Sequence, residues 1–214
     1  MTLEELKERL KEIGTEKNRL PMEKYMRNQF SFLGVKTPER KDVMKEFLKT
    51  YETFQLEDAE KLYGEREREF KYCAIHLMTK YVKELGHEDT KRILALALTE
   101  PWWDTIDGIA PSVLGPMALQ DERVKRTLQG LIYEENIWLK RISILFQLKY
   151  KKQTDEALLT EAIVHNADTR EFFVDKAIGW ALREYSKTRP EFVREFLVAH
   201  RLSSLSVREC SKYL

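Results

Sequence analysis

Aromatic and basic residues recur along this sequence at a 35-residue interval. Trp103, Trp138 and Phe173 are spaced in this way, as are Tyr150 and Tyr185, and Arg141 and Lys176. Two helices and two loops fit in that length. A period of this size is the mark of a helical solenoid, in which each unit buries its apolar face against the next. The alternative is chance recurrence of aromatics in a helical protein. With 8 Gly and 6 Pro in 214 residues, chain breakers are too scarce for a sheet with many tight turns.

Helical signals run nearly end to end. Leu3, Leu6, Leu10 and Ile13 form one apolar stripe over residues 2–13, and Gly14 suits a C-terminal cap. Gly34 is placed to end a second helical pair. Thr37 is the expected N-cap of a helix through Lys49, with Pro38 at its first position. Further helices are predicted over 56–63, 66–84, 88–99, 101–119, 121–133, 137–152, 155–166, 170–187, 190–200 and 204–213. Pro111 and Pro116 are expected to break or kink the 101–119 run. No stretch alternates as a strand, and no linker divides the chain, so residues 1–214 are read as one all-α domain.

The charged N-terminal stretch MTLEELKERLKEIG lacks the apolar core of a secretory signal. No run of about 18 apolar residues occurs. Cys73 and Cys210 lie far apart in helical segments and are expected as buried free thiols in a reducing, cytoplasmic setting. A net charge of +1 does not announce a nucleic-acid partner. Between Asn136 and Thr154, however, Lys140, Arg141, Lys149, Lys151 and Lys152 occur with no acid. That run is either a solvated helix end or a basic patch.

Some side chains fit a simple core poorly. On the 170–187 helix, Val174, Ile178, Ala181, Leu182 and Tyr185 form the expected core stripe. Phe173 and Trp180 share another face beside Lys176 and Ala177. They are either packing on a second buried face or an aromatic grip for a sugar or a backbone. Arg141 lies among Ile137, Trp138, Leu145 and Leu148, and a guanidinium there needs an anion. That anion is a neighbouring carboxylate or a phosphate. In PWWDTIDG (101–108), Asp104 reads as a helix cap with Asp107 at the third position, suited to the dipole. Alternatively, Asp107 stands one turn beyond Trp103 on the same face, an acid beside aromatic walls that stabilises a developing cation. His76, His87, His165 and His200 show no metal-ligand spacing. No phosphate loop, dinucleotide fingerprint or nucleophile elbow occurs.

Several long segments together carry a more specific signal: YMRNQFSFLGVKTPER (25–40), EREFKYCA (67–74), PWWDTIDGIAPSVLG (101–115), NIWLKRISILFQLKYK (136–151) and EFFVDKAIGWALREYSK (171–187). In these the chain resembles the AlkD family of DNA alkylation repair glycosylases, from about Met22 onward. The resemblance implies a superhelical solenoid of HEAT-like antiparallel helix pairs with a concave DNA-binding face. It further implies monofunctional excision of N3- and N7-alkylated purines from double-stranded DNA, recognised from the backbone side without a base pocket. Asp107 matches the family's catalytic aspartate, and Trp103 and Trp180 match its two active-site tryptophans. Arg141 matches the arginine beside the lesion-bearing strand, and Tyr25 another position near DNA. Phe173, Lys149 and Arg183 complete the expected DNA-binding set. The sequence departs from some relatives in stopping at Leu214, where they continue into further helix. No metal or organic cofactor and no membrane partner is expected, and a monomer suffices. The rival readings are a noncatalytic scaffold binding DNA or protein, and a hydrolase of another cationic N-glycoside.

Overall fold

The computed structural model describes residues 1–213; Leu214, the last residue of the expected 1–214 domain, lies outside the described residues. All regular structure among the described residues is helical. The chain forms two compact units, Met1–Glu84 and Leu85–Leu214.

The first unit holds α1 (Leu3–Ile13), α2 (Glu16–Tyr25), α3 (Thr37–Leu48), α4 (Leu56–Tyr63) and α5 (Arg68–Lys80). Thr2 starts α1 through a reciprocal cap: its hydroxyl accepts the Glu5 amide, and the Glu5 carboxylate accepts the Thr2 amide. Leu6 and Leu10 from the expected stripe are fully buried. Gly14 caps α1 as expected, but in extended conformation; a Cβ there would meet the Leu33 carbonyl oxygen at 2.5 Å. The start of α3 corrects the sequence reading by one residue. Lys36, not Thr37, is the cap, because the Glu39 carboxylate reaches back to the Lys36 amide at 2.9 Å. The loop before α3 is held by Glu69, fully buried on α5, whose carboxylate accepts the amides of Leu33, Gly34 and Val35 at 2.9–3.0 Å. Gly34 takes φ 85° there, a conformation that disfavours a side chain.

The second unit holds α6 (Thr90–Ala97), α7 (Trp103–Ile109), α8 (Gly115–Gln120), α9 (Glu122–Gly130), α10 (Ile137–Leu145), α11 (Glu156–Asn166), α12 (Phe172–Ser186), α13 (Pro190–Ala199) and α14 (Ser204–Cys210). Helices α7, α10, α12 and α14 lie side by side in chain order, each against the next. The intervening helices cover them: α9 and α11 pack on α10, and α13 on α12. This solenoid-like stacking gives the 35-residue period its physical content. Side-chain hydrogen bonds reach from one helix pair to the next across a nearly constant chain separation: Tyr150 to the Gly115 carbonyl over 35 residues, Asn166 to the Ile132 carbonyl over 34, Arg141 to Asp107 over 34.

The expected core stripe of α12 is buried throughout: Val174, Ile178, Ala181, Leu182 and Tyr185 are each no more than 6% exposed. Burying such side chains is the main favourable term, about 1.5–3 kcal/mol for each large aliphatic one. Cys73 and Cys210 are buried and outside any disulfide, as expected. The break or kink expected at Pro111 takes the form of a π turn: α7 ends at Ile109, residues Ala110–Leu114 widen, and α8 follows with Pro116 in its first turn. A proline cannot donate to the preceding turn, and the wider i→i+5 turn accommodates that loss. The helix expected over 137–152 instead ends at Leu145. Gln147 then bonds both backbone groups of Asp155, and Lys151 turns left-handed at φ 53°.

No described helix is long and apolar enough to cross a membrane. Among the described residues there is no cluster of three or more His, Cys, Asp or Glu able to hold a metal ion.

Candidate active site

Arg141 ties three of the stacked helices together. It sits on α10, 4% exposed. Its Nε donates to Asp107 Oδ1 at 2.8 Å and its Nη2 to Asp107 Oδ2 at 2.9 Å. Its Nη1 donates to the Phe173 carbonyl oxygen in the first turn of α12. The sequence left a carboxylate or a phosphate open as the anion for this guanidinium, and here it is the carboxylate. The bidentate fork matches the planar geometry of both groups.

The aspartates of α7 also differ from the cap reading. The cap is Trp102, Asp104 lies in the first turn, and Asp107 stands in the second. There Asp107 is too far from the helix start for the dipole account, which falls off within a turn. Its side chain is 17% exposed. Burial pushes its carboxyl above the ordinary value, Arg141 pulls against that through charge and hydrogen bonding, and Asp104 adds a smaller push upward. Each carboxylate oxygen, after accepting once from Arg141, keeps a further acceptor direction.

Trp103 lies one turn before Asp107 on the same face of α7. Trp180 lies two turns beyond Phe173 on one face of α12. Both tryptophans are half-buried. Phe173 does not stand with Trp180 alone. Its ring meets those of Trp102 and Trp138, each at 5.0 Å between centroids, and Trp102 meets Trp138 at 5.7 Å. This triad joins the starts of α7, α10 and α12 directly beside the ion pair. Sequence spacing pointed to Trp103 as the periodic partner of Trp138 and Phe173, whereas its neighbour Trp102 takes that place. The adjacent pair WW was the only signal, and it does not say which ring faces which way.

Two of the remaining expected residues bond to other partners. Lys149, exposed beyond the end of α10, donates to the Ser112 hydroxyl at 2.8 Å. Arg183 donates to Glu209 at 3.1 Å. Tyr25 ends α2 in the other unit and is 72% exposed. Arg27 and Asn28 follow it at φ 57° and 56°. The structure thus joins Asp107, Arg141 and Phe173 by direct bonds, with Trp103 and Trp180 carried on the same helices. The acidic partner Glu209 had no signal in the local sequence.

A family model described as DNA alkylation repair enzyme matches residues 6–214. A solved structure described as a "Predicted DNA alkylation repair enzyme from Enterococcus faecalis" is 36% identical, with a TM-score of 0.86, over 94% of this chain and 96% of that one. A search among curated proteins gives no match.

Proposed function

The chain belongs to the DNA alkylation repair enzyme family, and from that premise we propose that it is a monofunctional glycosylase hydrolysing the N-glycosidic bond of cationic N3- and N7-alkylated purines in double-stranded DNA. The family match runs from residue 6 to 214, which supports treating the chain as one functional domain; a monomer is part of the proposal. The observation that carries the reading is the largely buried carboxylate of Asp107, clamped by Arg141 and sharing a helix face with Trp103.

Alkylation at N3 or N7 gives the purine a positive charge. When its bond to C1′ breaks, the electron pair leaves with the base, which departs neutral. Positive charge then develops on the deoxyribose, as in other glycoside hydrolyses. A water adds to C1′ and its surplus proton passes to solvent, so the base needs no strong general acid. The chain must favour the cationic sugar, which Asp107 does electrostatically. Because Arg141 engages both oxygens, the field at the sugar is that of an ion pair presenting its negative end. The free acceptor directions of Asp107 align the attacking water. The electron-rich faces of Trp103 and Trp180 favour the same developing charge. Arg141, Lys149, Arg183, Phe173 and Tyr25 serve the DNA backbone, where contacts set register and orientation.

The test is release of 7-methylguanine and 3-methyladenine from methylated duplex DNA by wild type and Asp107→Asn. The substitution should lower release by about 10²–10³, the usual cost of removing one electrostatic stabiliser, with DNA binding kept. Neutral hypoxanthine should be released poorly, because its departure lacks the help of a positive charge on the base. A noncatalytic scaffold has one observation in its favour: Arg141 and Asp107 satisfy each other, as a purely structural pair would. Wild type that binds DNA and releases neither base would establish that reading.

A further inference from the structure

A second set of charges stands farther along α12. Lys176, Trp180 and Arg183 follow at i, i+4 and i+7, on one face of the helix. The two cations flank the tryptophan, and both turn to the same anion. Lys176 Nζ lies 2.9 Å from Glu209 Oε1, and Arg183 Nη1 lies 3.1 Å from Glu209 Oε2. Lys212, just beyond α14, donates to Oε2 at 2.9 Å. The Glu209 side chain is 10% exposed. It is seated where α12 and α14 come closest: a Cβ on Gly179 would meet the Glu209 Cβ at 2.6 Å. The surrounding cations, Lys212 and Lys176 foremost, hold its carboxyl down to about 2.

Three cations on one carboxylate leave a local charge of +2, which a self-contained structural pair does not need. Among the described residues no other carboxylate pairs with these three. Glu184, next to Arg183 on α12, is taken by Lys187 at 2.6 Å. Lys176, Arg183 and Lys212 remain 37%, 21% and 50% exposed. Ammonium and guanidinium groups carry three and five donors, so each keeps donors beyond those used on Glu209. Converging donors with surplus positive charge suit a phosphodiester. From this geometry we infer that Lys176 and Lys212 join Arg183 in a seat for a DNA backbone phosphate beside Trp180, with Glu209 as its organiser. The inference rests on the DNA reading above and extends it to residues outside the expected site.

Glu209 is a positioning residue here. Without it three like charges lie together with nothing to converge on, and the seat splays. This has a counter-intuitive consequence: Glu209→Gln raises the net charge of the protein by one, yet should weaken the dependence of DNA binding on salt.

The experiment is titration of a short fluorescent duplex without lesions at several NaCl concentrations, with circular dichroism on each variant. Each lost phosphate contact lowers the slope of log Kobs against log[NaCl] by about 0.9. The double variant Lys176→Gln/Lys212→Gln empties the seat of its one phosphate and should therefore lose about 0.9 from the wild-type slope. Lys176→Arg should restore its share, and Arg123→Gln on α9 should leave the slope unchanged. Glu209→Gln should also lower the slope. An unchanged slope in the double variant overturns the seat, and a steeper or unchanged slope in Glu209→Gln overturns the organiser. Wild type that releases alkylated base while the double variant keeps the slope leaves the glycosylase reading standing without the seat. Wild type that neither binds duplex nor releases base overturns both.

Discussion

Replacing Arg141 by Gln tests the centre of the site most sharply. The guanidinium makes two hydrogen bonds to Asp107 and one to the Phe173 carbonyl, from a position 4% exposed. Removing one member of a buried ion pair costs about 3–5 kcal/mol, because the other charge is left without its partner. At about 2–4 °C per kcal/mol for a chain of this length, the melting temperature at pH 8 should fall by roughly 6–20 °C. The loss should depend on pH in a defined direction. Burial already raises the Asp107 carboxyl above its ordinary value, and Arg141 opposes that rise. Without Arg141 the folded-state value rises further. A carboxyl raised on folding favours the folded state below its unfolded value, and that contribution is lost as pH rises through the folded value. The stability gap between wild type and Arg141→Gln should therefore be widest at pH 8 and narrow toward pH 4. Single-turnover release of 7-methylguanine should show a matching change, the variant's acid limb lying at higher pH than that of wild type. Thermal melts at four or five pH values and release rates over the same range make the assay. A gap independent of pH, or one that widens on acidification, would refute the argument that Arg141 keeps Asp107 ionised. The double variant Asp107→Asn/Arg141→Gln should lose less than the two single changes summed, since it strands neither charge.

The other expectations follow from packing and charge. Gly179→Ala places a Cβ 2.6 Å from that of Glu209 and 2.8 Å from the Ser206 carbonyl oxygen, and such overpacking costs about 1–3 kcal/mol; a melting temperature equal to wild type would show that α12 and α14 separate freely. Trp138, 8% exposed and in contact with both Trp102 and Phe173, should cost about 3–5 kcal/mol as Trp138→Ala; urea titration reads this, and a loss below 1 kcal/mol would mean the triad adds little. Glu209, held down to about 2, stabilises the fold above its unfolded value near 4.3, and that contribution is lost as pH falls toward 2. Wild type should therefore lose stability across that window faster than Glu209→Gln, and parallel acid melts would contradict the assignment.

How much was legible beforehand depends on the range over which each feature is decided. The stripe Val174, Ile178, Ala181, Leu182 and Tyr185 followed from helical periodicity and is buried as expected, because 3.6 residues per turn is a local property of the backbone. The all-helical class, the approximate spans of most helices and the free buried thiols were readable for the same reason. The cap before α3 was misplaced by one residue, since Glu39 competes with Thr37 for the helix start. The interruption at Pro111 was readable, but not its form, because sequence does not announce a π turn.

Partner choice was decided elsewhere. Arg141 had two candidate anions, and only the lateral packing of α7 against α10 put Asp107, 34 residues earlier, within 2.8 Å. Trp102 rather than Trp103 faces Trp138 and Phe173 because α7 begins at Trp103 and leaves its neighbour on the cap. Glu209 became the centre of three cations through the close approach of α14 to Gly179. By itself, then, the sequence determined which face of each helix is apolar and which residues stand one turn apart. Tertiary structure decided which charges meet, since contact across helices depends on axial offset and ångström-scale approach, and a one-dimensional pattern encodes neither.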